Sequence, residues 1–179
     1  THLAITLMKN RLHDSFGRDL SEYEVLGEPQ DLGSACALAE EDRHQFELWA
    51  LGLVGARPAQ EQRGGDRGMD GVMHFRDDDS GKYKRIIVQV KSGKVGPHYV
   101  RDLKGVLERE EAQIGALVTL EPPTQEMRTE AVTADYYQPP ALLEKVPKLQ
   151  ILTIEGLLNG TERLEYPVQV GLDTFARAP

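Results

Sequence analysis

Gly65-Asp-Arg-Gly-Met-Asp-Gly71 and, further along, Val88-Gln-Val-Lys-Ser-Gly93 are the two stretches on which the reading of this chain turns. The glycines at 64, 65 and 68 make a tight loop, and the run after them, Val72–Phe75, is expected to be a strand. Asp77-Asp-Asp-Ser-Gly81 has the composition of a hairpin turn, which returns the chain as a second strand over Lys84–Lys91. Asp70 then stands at the lip of the first strand. Successive strand side chains point to opposite faces, so Gln89 and Lys91 share one side of the second strand. The hairpin gathers an acid, an amide and a lysine at one sheet edge.

Outward from the hairpin, helical and strand patterns alternate. Residues 2–12 are helix-compatible, with Leu3, Ile5, Leu7, Met8 and Leu12 apolar, and a polar, glycine-containing arm follows up to Gly33. Residues 35–54 are expected to form one long helix carrying Phe46, Leu48, Trp49, Leu51, Leu53 and Val54, stopped by Gly55 and Pro58. After the hairpin come a helix over Val100–Arg109, a buried strand over Ile114–Leu120, and a helix over Gln125–Ala134 that Thr124 can cap. A last strand, Leu149–Thr153, leads into a short helix, Ile154–Leu158. This order predicts an α/β sandwich, a mixed β-sheet flanked by helices. The expected units are 1–35, an N-terminal helix and arm; 36–160, the α/β domain; and 161–179, a tail that is either an edge strand or a loose end. A chain opening on Thr1 is expected to be part of something longer.

Composition narrows the class. A length of 179 residues suits one domain with a sizeable core. No apolar run approaches a membrane span, and the one cysteine, Cys36, fits a reducing cytoplasm and most simply a small packed residue. The net charge of −8 argues against nonspecific nucleic-acid binding by the whole surface. Residues 82–109 differ: Lys82, Lys84, Arg85, Lys91, Lys94, Arg101, Lys104 and Arg109 face only Asp102 and Glu108. That local excess is either a phosphate-tracking groove or a solvated face.

The chemistry these residue types serve is phosphodiester hydrolysis. It needs a water made nucleophilic near neutral pH and charge compensation on the phosphate, and Mg²⁺ (or Mn²⁺ in its place) does both when held by carboxylates and carbonyls. Asp70 is the expected anchoring metal ligand, with the Gln89 amide oxygen and the Val90 carbonyl beside it. Lys91 would stabilise developing negative charge, and Glu47, on the long helix, could reach the same ion. Arg67, Lys94, Arg101 and Lys104 are the expected DNA phosphate contacts. Each has a plainer reading. Asp70-Gly71 is a common turn pair, Lys91 a strand-end lysine, Gln89 an outward-facing polar residue, and Glu47 one of the polar positions of an amphipathic helix. The first three occurring together, with the glycines and flanking cations, favour a site.

At Gly68-Met-Asp70-Gly71 and Gln89-Val-Lys91, with a helical Glu47 upstream, the chain resembles the PD-(D/E)xK nuclease superfamily, and within it the Mrr-like restriction endonucleases. Arg101-Asp-Leu-Lys-Gly-Val106, Gly115-Ala-Leu-Val-Thr119 and Gln150-Ile-Leu-Thr-Ile-Glu155 are similar to segments of a branch associated with bacterial DNA methyltransferases, in which the leading segment 1–12 often follows a methyltransferase domain. The resemblance covers most of residues 36–160. It implies a PD-(D/E)xK-type sandwich and Mg²⁺-dependent cleavage of double-stranded DNA in a restriction or phage-defence setting, with a DNA methyltransferase domain or subunit as the implied partner. Gln89 replaces the usual second acid, which weakens the metal site.

Other chemistries fit poorly. His2, His13, His44, His74 and His98 show no zinc spacing, and Gly64–Gly68 lacks the Gly-Lys-Ser/Thr ending of a phosphate loop. Two functions of different class stay open. One is a homodimeric metal-dependent endonuclease, since two symmetric sites cut a duplex most simply. The other is a noncatalytic DNA-binding or assembly domain that partners a methyltransferase or another defence subunit.

Overall fold

The computed structural model describes residues 2–23, 25–59, 68–78, 80–140 and 145–167. A five-stranded sheet runs in the order β1 (Arg57–Pro58), β2 (Gly71–Phe75), β3 (Lys84–Lys91), β4 (Ile114–Thr119) and β7 (Leu149–Thr153). β1, β2 and β3 pair antiparallel, whereas β3, β4 and β7 pair parallel. The sheet is mixed and flanked by helices, as the order of elements predicts. β4 is buried along its whole length because it is central and covered on both faces, which is why it reads as a continuous apolar run.

One layer consists of α2 (Leu32–Glu41), α3 (Arg43–Leu53) and α6 (Ile154–Leu158), and its core joins Phe46, Trp49 and Leu51 to Ile86, Val88, Val90 and Val118. The other consists of α4 (Pro97–Arg109) and α5 (Gln125–Val132), which pack Val100, Leu103, Val106, Leu107 and Met127 on Ile87 and Leu117. Gly115 lets α4 approach β4 closely: a Cβ there would stand 2.9 Å from Leu107 Cδ1. Thr124 caps α5 as expected, its hydroxyl accepting from Met127 N at 3.3 Å. α4 starts at Pro97 rather than Val100, since proline suits the first helical position.

The long helix expected over residues 35–54 is two helices. Asp42 breaks it with an extended backbone (φ −149°, ψ 96°), and its carboxylate accepts from Gln45 N at 3.0 Å, capping α3. Aspartate satisfies a helix N-terminus better than it sits mid-helix, and the break turns α3 onto the sheet. Two short pairings carry no periodic signal in the sequence: β1, and the ribbon of β5 (Tyr136–Tyr137) with β6 (Val146–Pro147).

The N-terminal segment docks. α1 (His2–Phe16) packs on α3 so closely that a Cβ on Gly52 would lie 2.6 Å from Thr6 Oγ1. The arm folds back through Glu28, whose carboxylate bonds Lys9 and sits 4.0 Å from His2 Nδ1. At the other end, Gln150 holds the backbone of Glu165 in both directions, at 2.7 and 2.9 Å. Residues 161–167 form no strand, and the rest of the expected tail, 168–179, lies outside the described residues. No helix among the described residues is long and apolar enough to cross a membrane.

Candidate functional site

Asp70 enters β2 already tied to its neighbours: its N–H donates to Val88 O at 3.0 Å and its carbonyl accepts from Ala59 N at 2.9 Å. Beyond that rung its side chain continues the ladder, Oδ2 accepting from Val90 N at 2.6 Å. The same oxygen stands 3.7 Å from Lys91 Nζ. Val90 turns its side chain into the α3-side core while its N–H faces Asp70. On an extended strand in antiparallel pairing, its carbonyl leaves along that same edge.

Lys91 is held from two sides, by Asp70 and by Tyr99 of α4, whose ring centroid lies 5.5 Å from Nζ. Its side chain retains 20% exposure, so the ammonium borders solvent without being bathed in it. Glu47, on α3, is half-buried. Its carboxyl titrates above the ordinary glutamate range, first because burial penalises the charged form and second because Asp70 carries negative charge nearby; His44, Lys91 and Arg43 oppose the shift. Glu47, Asp70 and Lys91 thus share one electrostatic environment, although Glu47 and Lys91 come from elements far apart in the chain.

Gln89 is on the same side of β3 as Lys91, as alternation requires, but it does not face outward. It is 5% exposed under α4, with Nε2 donating to the Gly68 carbonyl and Oε1 buried without a hydrogen-bond partner. Gly68 has φ +68°, and a Cβ there would press to 3.2 Å against both Gln89 Nε2 and Val106, so glycine is needed on two counts.

The expected DNA contacts are scattered. Lys94 is exposed on the loop after β3, and Arg101 is exposed on α4 with Nη1 3.3 Å from Glu130 Oε2 of α5. Lys104 is half-buried one helical turn on, and Arg67 lies outside the described residues. The basic run over 82–109 divides between the two ends of β3 and α4. Arg85 and Arg109 sit at the end away from Asp70, both against Glu110.

Two neighbours of the site escape sequence reasoning. Tyr99 meets Lys91 only because α4 crosses over β3. Thr119 pairs in register with Lys91, fully buried, its hydroxyl without a partner; a strand-end threonine gives no signal for that. Among the described residues, no group of three or more His, Cys, Asp or Glu is placed to hold a metal ion. Any ion here would draw on the two carboxylates plus amide and peptide oxygens.

Residues 43–159 match the family model described as NACHT-associated inactive Restriction Endonuclease 1. Among solved structures, the fold is similar to the MspJI restriction endonuclease in complex with a 27-mer oligonucleotide, at 19% identity and a TM-score of 0.50, over 80% of this chain and 35% of that one. The chain therefore spans about a third of that protein's length. No curated protein matches.

Proposed function

Although the chain belongs to the NACHT-associated inactive Restriction Endonuclease 1 family, we propose that its own site keeps the parts for metal-dependent hydrolysis of DNA phosphodiester bonds. The observation that carries this reading is the convergence of Glu47, Asp70 and Lys91 at the Asp70 end of the β2–β3 pair.

The residues fit a hard divalent cation. Glu47 and Asp70 repel each other enough to contribute to the raised Glu47 titration, and Gln89 Oε1 is a buried oxygen with no donor. Asp70, Glu47, Gln89 Oε1 and the Val90 carbonyl would hold Mg²⁺ or Mn²⁺, which supplies Lewis acidity and a lowered water pKa when bound. The chain's own groups do the rest. The Val90 N–H fixes the Asp70 carboxylate in place. Lys91, braced by Asp70 and Tyr99, offers a positioned ammonium to a phosphate oxygen as charge builds there. Glu47 holds its proton more tightly than an exposed glutamate, because burial and the Asp70 charge both disfavour its ionised form.

Double-stranded DNA is the proposed substrate, consistent with the oligonucleotide bound by the MspJI enzyme. The finer kinship with Mrr-like enzymes rests on Gly68–Gly71 and Gln89–Lys91. A methyltransferase partner, pairing with a second copy, and a role beside a NACHT domain belong to the same proposal. A second reading, a noncatalytic DNA-binding or assembly domain, is favoured by the family's description as inactive and by the Gln89 amide being tied to Gly68.

Plasmid cleavage separates them. Wild type with Mg²⁺ or Mn²⁺ should linearise DNA, EDTA should stop it, and Asp70→Asn or Lys91→Met should lower the rate by roughly 10²-fold or more. A wild type that binds duplex yet leaves it intact with either metal establishes the noncatalytic reading.

A further inference from the structure

Beyond Asp70, β2 presents two unlike faces. Gly71, Met73 and Phe75 turn into the α3-side core. The alternate positions Val72, His74 and Arg76 turn to the other face. There, register adds Arg57, which pairs with Val72, and Arg85, which pairs with His74. Helices α4 and α5 cover this face over β3 and β4, but Arg57 and His74 are exposed. Tyr83, 41% exposed, binds the group together: its ring meets His74 edge-on at 6.3 Å and lies 5.9 Å from the Arg76 guanidinium.

We infer that this uncovered face, Arg57, His74, Arg76 and Tyr83, is a second contact for the backbone of duplex DNA, running from the Asp70 end of β2 outward. The inference rests on the DNA-binding part of the function proposed above. Three observations support it. Among the described residues no acid is paired with Arg57, His74 or Arg76; the acids nearby are engaged elsewhere, Glu110 with Arg85 and Asp78 with Ser80. The face is cationic on a chain of net charge −8, so its sign is a local feature. It is also continuous with the proposed scissile site. His74 is four residues past Asp70, ~13 Å along an extended strand, the axial rise of about four nucleotides on one DNA strand.

The His74 ring reports on this environment. Although the residue is exposed, its pKa lies below the ordinary histidine range, first because the protein around the ring partly desolvates the charged form and then through the positive charge of Arg85 and Arg57. Arg76 and Tyr83 complete its surroundings, and none of these groups is an acid. A phosphate arriving on the face would offset that positive field, so the His74 pKa rises on binding.

The test is fluorescence anisotropy with a short labelled duplex in EDTA across a series of salt concentrations, alongside the His74 titration followed by NMR. Arg57→Ala should weaken binding to all sequences alike and reduce the salt slope by about 1. Arg57→Ala with His74→Ala should weaken it further, and duplex should raise the His74 pKa in wild type. Unchanged affinity and slope in folded variants overturn the inference, as does polyglutamate displacing the duplex at equal charge, which would make the face a site for acidic protein. A wild type that binds no duplex removes both this contact and the proposed function. A wild type that binds without cleaving, with a slope that depends on Arg57, keeps the contact and removes only the catalysis.

Discussion

Replacing Gly71 by alanine probes the packing on which the whole site depends. Gly71 opens β2 directly after Asp70, pairing with Pro58 on one side and Val88 on the other. A Cβ built there lies 2.5 Å from Leu51 Cδ2, 3.2 Å from Leu51 Cδ1 and 3.1 Å from the Arg57 carbonyl oxygen. Leu51 is fully buried and cannot swing away, and the Arg57 oxygen is backbone. Forcing one methyl into such a contact costs about 1–3 kcal/mol, and the loss of glycine's freedom in the unfolded chain returns about 0.4–1 kcal/mol. With two rigid obstacles the net falls toward the upper end, ~2 kcal/mol, or a fall in Tm of roughly 4–8 °C for a domain of this size. Urea denaturation followed by circular dichroism measures it. Leu51→Ala alone should cost about 2–5 kcal/mol by leaving a cavity, and the double variant should lose less than the sum, because the new methyl enters that space. Strict additivity, or a Gly71→Ala protein as stable as wild type, would refute the close seating of α3 on the start of β2. Plasmid cleavage should fall with stability, since any shift of this strand pulls Asp70 from the Val90 N–H.

Two more outcomes follow from buried titrating groups. Because Glu47 holds its proton more tightly folded than unfolded, the folded state carries more bound proton between the ordinary glutamate range and its raised value. Its stabilising contribution is therefore complete below that range and is lost as pH rises through the raised value. Wild type should match Glu47→Gln most closely below the ordinary glutamate range and lose stability relative to it as pH rises over that window, and Mg²⁺ should pull the Glu47 titration, followed by NMR, back down; a titration indifferent to both Mg²⁺ and Asp70→Asn would remove Glu47 from the site. At the far end of β2, the Tyr137 hydroxyl donates to Oδ2 of Asp77, a fully buried acid whose Oδ1 has no partner. Tyr137→Phe should cost about 1–3 kcal/mol in urea denaturation, and a loss under about 0.5 kcal/mol would show that this bond does not hold the β5–β6 ribbon in place.

Much of the architecture was legible along the chain, and for local reasons. The β-branched run Ile86-Ile-Val88, the glycines before Asp70 and the turn residues at 77–81 specify the β2–β3 pair, since strand propensity and turn chemistry act over a few residues. The same locality put Gln89 and Lys91 on one side and Thr124 at the head of α5. Tertiary structure decided what depends on encounters between distant segments. Alternation names the side Gln89 takes, but only α4 lying on that side buries it and leaves Oε1 unpartnered. Asp42 could have continued a helix or capped one, and packing on the sheet chose the cap. Pro58 disguised β1, whose two residues pair because Gly71 and Val72 arrive beside them. The cations of residues 82–109 look like one stripe in sequence, yet an extended strand followed by a helix sends them to opposite ends of the domain. Composition and spacing could thus supply an acid, an amide and a lysine near one another. Bringing Glu47 within reach of Asp70, and Tyr99 under Lys91, required the α3 and α4 layers to close on the sheet, because a charge is felt through space and its position along the chain carries no record of that distance.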